Sequence, residues 1–163
     1  MLPVALNLFD AIEQKLLHEP SIQYRAEIAY ADEEEIFVRG GVFKKLIPRI
    51  HNNTCCISGM QIIAGNTQLI DACHIVPFSE SHDDTVSNGL SLCPNLHRAF
   101  DRHLVTIDES YRVVVSPHFA EGTDSYSIRQ FAGKQVLLPR ERRYYPSQEN
   151  LAKHRSRFER VNV

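Results

Sequence analysis

Four polar residues in the middle of the chain have types and spacings that suit hydrolytic chemistry. His74 lies within the apolar run 69–76, which predicts a short strand, and Asn88 follows in a polar segment. His97 and Asp101 are four residues apart in a segment with helical character, so both side chains should share one helix face. An imidazole and a carboxylate at this spacing can bind one divalent cation.

Two chemical roles can be predicted, one for His97 with Asp101 and a complementary one for His74 with Asn88. A cation held by His97 and Asp101 could withdraw charge from a phosphorus centre. The donor types suit Mn²⁺, Ni²⁺ or Zn²⁺, and they could serve Mg²⁺ if water and phosphate complete its coordination shell. His74 could take a proton from an attacking water near neutral pH. Asn88 offers two donors and an acceptor, so it could hold the loop that orients the His74 ring.

Several ordered blocks of sequence resemble the HNH endonucleases, whose ββα-metal site is a β-hairpin packed on a helix with a divalent cation between them. The blocks are Cys56–Gly59, Ala72–Pro77, Asn88–Leu90 and His97–Arg102. They are most similar to a subfamily found among restriction endonucleases, and the resemblance covers roughly residues 36–160. Blocks in a common order are more specific than an isolated His/Asn/His triplet.

The resemblance implies an enzyme that hydrolyses DNA phosphodiester bonds with the help of a divalent metal. It implies that His74 is the general base, that Asn88 organises the site, and that His97 binds the metal together with Asp101. It favours Mg²⁺ or Mn²⁺ as the ion, with Ni²⁺ or Zn²⁺ as alternatives. The expected biological role is restriction or anti-phage defence.

Charge is unevenly distributed along the chain, and this bears on DNA binding. The formal net charge is −2, yet residues 1–35 carry eight acidic and two basic residues, while residues 129–163 carry nine basic and three acidic ones. We therefore expect DNA to lie toward the basic C-terminal third. Arg98 and Arg102 are the predicted ligands of DNA phosphates, because guanidinium groups match phosphate oxygens.

The cysteines depart from the family pattern in two ways. Cys73 precedes His74, where many relatives have an acidic or imidazole ligand, and a thiolate there would favour zinc over magnesium. We expect Cys73 to be a small buried residue, and Asp71 on the same strand face could substitute as a ligand through water. Cys56 and Cys93 each lack the second cysteine of a Cys-x-x-Cys pair. A four-thiolate zinc site is therefore not expected, and whether these two thiols pack together is left open.

The other histidines have no partner at a diagnostic spacing, and we interpret them as surface or structural residues. They are His51, His82, His103, His118 and His154. His103 also stands where relatives often have glycine, which predicts a different exit from the preceding helix.

Local patterns predict the elements that must position the site. Apolar spacing predicts a helix over residues 4–17, and the acidic run 32–35 should begin a second helix that ends at Pro48. Residues 79–91 are expected to form a loop, and residues 94–103 a short helix. Further along, we expect a hairpin of residues 104–107 and 111–115, a short strand at 135–138, and a helix from 150 to 161 capped by Ser147.

These elements predict an α+β fold with a ββα-metal core and a C-terminal helix. We expect residues 1–35 to form a helical N-terminal extension and residues 36–163 to form the nuclease domain. No apolar run is long enough to span a membrane, and the N-terminus lacks a basic region typical of a secretory signal. A cytoplasmic protein is therefore expected. Whether it acts as a homodimer or with a separate or fused target-recognition domain is open.

Two alternative functions belong to other classes of protein. The first is a catalytically weak nucleic-acid-binding module on an HNH scaffold. The reason to consider it is that Cys73 replaces a residue that binds the metal in many relatives. The second is a cysteine hydrolase that uses Cys73 with a nearby histidine. Adjacent residues of a strand point to opposite faces, which argues against a pair of Cys73 and His74.

Overall fold

Helices alternate with short antiparallel strand pairs in the computed structural model, which describes residues 11, 13, 14, 33–122 and 125–162. The helices beyond residue 32 are α1 (Glu33–Ile50), α2 (Phe78–Ser81), α3 (Pro94–Asp101) and α4 (Gln148–Val161). The strands pair as β1 (Ile63–Ala64) with β2 (Thr67–Gln68), β3 (Asp71–His74) with β4 (Gly89–Leu92), and β5 (Val105–Ile107) with β6 (Val113–Val115). Short 3₁₀ turns lie at Val86–Asn88, Arg129–Phe131 and Arg142–Tyr144. The predicted α+β class is confirmed.

One face of the β3–β4 hairpin packs against helix α1. Phe43 and Ile47 of α1 are buried in an apolar cluster on this face. His74 lies directly opposite Gly89 in the hairpin. A Cβ atom at Gly89 would lie 2.3 Å from the Ile47 Cδ1 atom, so only glycine permits this approach of the helix. The close packing brings α1 within contact of His74.

The other face of the hairpin carries the larger hydrophobic core. Leu96, Ala99 and Phe100 of α3 are buried in it, and β5, β6 and α4 contribute further apolar side chains. Cys73 belongs to this core, whereas His74 faces α1. The predicted opposite orientation of these two neighbours is thus confirmed. Strands β3 and β4 with helix α3 form the expected ββα unit.

Several predicted elements occur close to their expected positions. The short helix predicted over residues 94–103 is α3, and the hairpin predicted from residue 104 to 115 is the β5–β6 pair. Helix α4 begins where Ser147 accepts a hydrogen bond from the Asn150 backbone N–H at 3.3 Å. This is the cap that the sequence predicts, because serine satisfies a backbone donor of the first turn.

Three element predictions are wrong. Helix α1 continues past Pro48 to Ile50, because a proline in the last turn removes only one hydrogen bond from the helix. Residues 79–91 do not form a continuous loop, since they include most of α2 and the start of β4, whose pairing with β3 depends on distant residues. The strand expected at 135–138 is reduced to a single bridge between Arg112 and Gln135.

Most of the N-terminal region lies outside the described residues. The helix predicted over residues 4–17 falls there, except for positions 11, 13 and 14, which are helical. The division into residues 1–35 and 36–163 stays a prediction, and α1 begins before that boundary, at Glu33. Among the helices that the structure describes, none combines the length and apolar character needed to cross a bilayer.

Candidate active site

His74, the last residue of β3, is held by a buried carboxylate and an aromatic ring. Its Nε2 atom lies 2.7 Å from Asp84 Oδ1, and its ring stacks on Phe43 with 4.0 Å between centroids and 9° between planes. The His74 side chain is 24% exposed, whereas that of Asp84 is 3% exposed. A carboxylate partner fixes the proton of a neutral imidazole on Nε2. The Nδ1 lone pair is then free to accept a proton from solvent or substrate.

Asn88 is fully buried and connects the strand of His74 to the loop of Asp84. Its Oδ1 accepts a hydrogen bond from the Val76 N–H at 2.9 Å. Its Nδ2 donates to the Val76 carbonyl at 3.0 Å and to the Asp83 carbonyl at 2.8 Å. One side chain thereby joins the backbone beyond His74 to the backbone before Asp84. This is the arrangement that a site-organising role requires.

Three side chains with metal-binding atoms lie together beside His74. Single donor atoms of Cys73, His97 and Asp101 all lie within 4.8 Å of one another. His97 Nε2 is 3.5 Å from Asp101 Oδ2, and Cys73 Sγ is 3.8 Å from Asp101 Oδ1. Sulfur, imidazole nitrogen and carboxylate oxygen together fit a divalent transition-metal ion. The pairing of His97 with Asp101 follows from their shared helix face.

Asp71 acts on this donor group through His97. Its Oδ2 atom lies 3.0 Å from His97 Nδ1, on the side of the ring away from Asp101. A carboxylate on the second nitrogen orients a metal-binding histidine and fixes its tautomer. Asp71 is therefore placed to orient the His97 ring.

Cys73 is buried, as predicted, and its sulfur also faces the metal donors. Burial is the main cause that raises the pKa of the Cys73 thiol well above its usual range, and the carboxylate of Asp101 adds to it. A buried thiol that resists ionisation is a poor nucleophile. The structure therefore argues against a cysteine hydrolase.

A cleft of about 430 Å³ lies beside His74 and the side chains of His97 and Asp101. His74, His97 and Asp101 line it, so the structure brings three predicted site residues together. Asn88 lies beneath the cleft and acts through backbone hydrogen bonds.

Arg98 and Arg102 lie outside this cleft. Both are exposed and border a separate shallow groove together with Tyr126. Each follows one of the metal-donor residues of α3 by one position, and an α-helix turns about 100° per residue. The two arginines therefore project to another side of the helix. Their predicted contact with DNA phosphates stays a prediction, placed beside the cleft.

Two arginines of the basic C-terminal third are already paired. Arg157 lines the cleft and forms an ion pair with Glu80. Arg155 donates to the Ile107 carbonyl at 3.1 Å and pairs with Glu109 at 3.2 Å. Arg157 is therefore placed closer to the expected path of DNA than Arg155.

Comparison with known proteins agrees with the sequence resemblance. Residues 55–108 match the family model described as HNH endonuclease, a segment that includes the β3–β4 hairpin, α3 and β5. We refer to residues 55–108, which match this family model, as the HNH domain. No curated protein matches the chain significantly.

The HNH domain also has a neighbour among solved structures. The neighbour is titled "Modification dependent TagI restriction endonuclease", with a TM-score of 0.52 and 24% sequence identity. The match covers 71% of this chain and 36% of that chain, so this chain spans about a third of the neighbour's length. This likeness confirms the predicted fold. The family match supports the coarse assignment of the HNH domain as a nuclease.

Sequence reasoning missed three residues that lie at or beneath the cleft. Asp84 gave no signal beyond its place in a polar segment, and only the fold shows that it is buried against His74. His103 and His154, interpreted from the sequence as surface or structural residues, contact each other, with His103 Nδ1 3.2 Å from His154 Nε2. The two residues are 51 positions apart, so no local pattern could reveal their contact.

The sequence reasoning also did not anticipate a contact between two cysteines of the HNH domain. Cys93 contacts Cys55, and a hydrogen bond from the Cys93 thiol lowers the pKa of Cys55 while burial opposes this change. Cys56 and Cys93, whose packing the sequence left open, lie in the same buried core cluster. Cys56 is fully buried, and its backbone N–H donates to the Ser91 carbonyl at 2.7 Å.

Proposed function

We propose that this chain is a divalent-metal-dependent HNH endonuclease that hydrolyses DNA phosphodiester bonds. One observation carries the proposal: a histidine held by a buried carboxylate shares a cleft with His97 and Asp101, two members of a Cys/His/Asp donor group. The first can accept a proton from water, and the second can hold a cation beside it. Phosphodiester hydrolysis needs both capacities at one phosphorus atom.

His74 is the proposed general base. Its Nε2–H donates to Asp84, so Nδ1 is available to receive the proton of an attacking water. The buried carboxylate can stabilise the imidazolium that forms, as in other histidine–carboxylate pairs. Phe43 stacks on the ring and limits its rotation. Asn88 holds the two backbone segments that set the distance between His74 and Asp84.

His97 and Asp101 are the proposed metal ligands, with Cys73 as the third protein donor. A bound cation would polarise a phosphoryl oxygen and stabilise the charge that develops on the leaving oxygen. Asp71 keeps the Nε2 atom of His97 directed toward Asp101.

The identity of the ion depends on whether Cys73 contributes its thiolate. The family resemblance favours Mg²⁺ or Mn²⁺, whereas a sulfur donor shifts preference toward Zn²⁺ or Ni²⁺. If Cys73 is a ligand, Cys73→Ala should weaken Zn²⁺ binding by roughly 10- to 100-fold and change Mn²⁺ binding much less. Titration calorimetry with each ion measures this difference. Equal loss for both ions, or no loss for either, would contradict the ligand role.

We also propose a role in restriction or anti-phage defence in the cytoplasm. The likeness of the fold to a modification-dependent restriction endonuclease supports this role. Target choice would come from a homodimer or from a separate or fused recognition domain. Cleavage rates on modified and unmodified DNA of the same sequence would distinguish an enzyme that requires modified bases from one that cleaves both substrates equally.

Plasmid cleavage tests the proposed activity. Supercoiled DNA is incubated with wild type, His74→Ala or His118→Ala, in Mg²⁺, Mn²⁺, Zn²⁺, Ni²⁺ or EDTA. His118 is an exposed histidine outside the cleft lining and serves as the matched control. Wild type and His118→Ala should nick or cut the plasmid with at least one ion. His74→Ala should be slower by about 100- to 10,000-fold, the usual contribution of a general base.

The outcomes separate the proposal from its alternative. Cleavage that persists in His74→Ala or in EDTA would refute the metal-dependent mechanism. DNA binding without turnover in any of the ions would instead identify a catalytically weak binding module. This alternative is tested because Cys73 stands where many relatives have an acidic or imidazole metal ligand.

A further inference from the structure

His103 has a backbone conformation that glycine adopts more readily. It follows α3 directly, and its φ angle is +55°. A residue with a Cβ atom is strained in this left-handed region. Strain of this kind tends to persist where the side chain has a function.

Hydrogen bonds connect the His103 ring to His154, and His154 to Thr106 and Phe100. His154 is buried and stacks on Phe100 with 3.7 Å between ring centroids. Its Nδ1 atom lies 2.8 Å from Thr106 Oγ1, and its Nε2 atom lies 3.0 Å from the Phe100 carbonyl. A carbonyl can only accept, so the proton of His154 resides on Nε2.

This arrangement determines which nitrogen of His103 carries its proton. The single Nε2–H of His154 is shared between the Phe100 carbonyl at 3.0 Å and the Nδ1 atom of His103 at 3.2 Å, so Nδ1 presents a lone pair. The proton of His103 therefore resides on Nε2. His103 lines the same cleft as His74, His97 and Asp101. The ring thus brings an oriented N–H donor to the proposed hydrolytic site.

We propose that His103 is a substrate-binding residue that donates this hydrogen bond to a non-bridging oxygen of a DNA phosphate. The inference rests on the proposed nuclease function. Arg157, a cation of the cleft lining, is paired with Glu80, whereas the donor of His103 is held in place by His154 alone. Fixed N–H donors are suited to anionic phosphate oxygens, because they need no reorganisation when the substrate arrives.

Three variants test the role of His103. His103→Gly removes the donor and relieves the backbone strain. His103→Gln restores an N–H₂ group near the position of the imidazole Nε2. His82→Gly is the matched control, since His82 is a histidine with φ of +48° that does not belong to the cleft lining. Plasmid cleavage, binding of a labelled duplex in EDTA, Mn²⁺ affinity and the thermal midpoint are measured for each.

The expected pattern separates function from stability. His103→Gly should reduce cleavage by about 10- to 100-fold, the effect of one hydrogen bond to a charged group, and should weaken duplex binding. Its thermal midpoint should equal or exceed that of wild type, and its Mn²⁺ affinity should change less than about twofold. His103→Gln should recover part of the cleavage rate, and His82→Gly should cleave like wild type.

Other results would overturn the inference in distinct ways. If wild type cleaves DNA and His103→Gly cleaves equally well, His103 does not bind substrate. The same conclusion follows if His103→Gly loses activity only in proportion to a lower thermal midpoint or to weaker Mn²⁺ binding. If wild type neither binds nor cleaves DNA with any ion, the proposed function fails and this inference fails with it.

Discussion

Two histidines in this chain stack on phenylalanine rings, yet their surroundings differ. His74 lies on Phe43 with 4.0 Å between centroids, and His154 lies on Phe100 with 3.7 Å. The Nε2 atom of His74 contacts the Asp84 carboxylate. The nitrogens of His154 instead contact neutral groups, namely a hydroxyl, a carbonyl and a second imidazole.

The comparison shows that the partner, more than the stacking, decides what a buried histidine can do. The Asp84 carboxylate holds the Nε2 atom of His74 and so orients the ring with Nδ1 on its opposite side, as the proposed general base requires. Burial lowers the pKa of His154 to about 4, and the Phe100 carbonyl only partly opposes this. His154 therefore stays neutral near pH 7 and serves as a fixed support for the core and for His103.

The largest expected effect comes from removing the charge beside His74. Asp84→Asn should reduce DNA cleavage by about 100- to 1000-fold, because the amide can donate to Nε2 and force the proton onto Nδ1. Asp83→Asn, the neighbouring buried carboxylate, is the control and should retain cleavage within about fivefold. Single-turnover rates at pH 8 measure both. Equal losses in the two variants would remove the distinction between a catalytic pair and a structural one.

The second prediction concerns stability and contrasts the two rings directly. His154→Ala should lower the free energy of unfolding by about 2–4 kcal/mol, because it opens a cavity in the core and leaves Phe100 without its stacking partner. His74→Ala should cost about 1 kcal/mol, since that side chain is 24% exposed. Urea denaturation at pH 8 compares them. A larger loss for His74→Ala would reverse the assignment of the structural role.

The third prediction uses the low pKa of His154. Below its ordinary pKa of 6.5, the unfolded state gains a proton that the folded ring, with a pKa of about 4, does not. Stability should therefore fall as pH decreases from about 6.5 toward 4, and His154 should account for about 2 kcal/mol of the loss between pH 7 and pH 5. His154→Gln should show a correspondingly smaller loss. Identical pH dependence in both proteins would show that His154 does not cause it.

The smallest expected effect is on the two aromatic supports. Phe43→Leu should reduce cleavage by about two- to fivefold, because the ring that faces a charged imidazolium contributes about 0.5–1 kcal/mol. Phe100→Leu should change the free energy of unfolding by about 1 kcal/mol and leave Mn²⁺ affinity unchanged. Cleavage rates and urea denaturation are measured for both. A rate loss without a stability loss in Phe100→Leu would contradict the supporting role of that stack.

Much of the fold could be predicted because its signals are local. A capping serine at position 147, a proline at the start of α3 and the apolar runs of β5 and β6 act within a few residues. Two of the three wrong predictions, those for residues 79–91 and 135–138, depend on contacts between residues far apart in the sequence. The pairing of β4 with β3 joins residues far apart in sequence, so it overrides the polar composition of the preceding segment.

The amino-acid sequence by itself determined the α+β class, the HNH pattern and the pairing of His97 with Asp101. These depend on spacing along one helix and on the order of motifs, which the chain carries without folding. Only the tertiary structure decided that Asp84 is buried against His74, that Cys55 pairs with Cys93, and that Arg98 and Arg102 project away from the cleft. Such contacts depend on how α1 and α3 pack against the two faces of the hairpin. The packing of α1 requires that residue 89 has no side chain, because a Cβ atom there would collide with Ile47. The residues next to Gly89 in the sequence give no sign of this requirement.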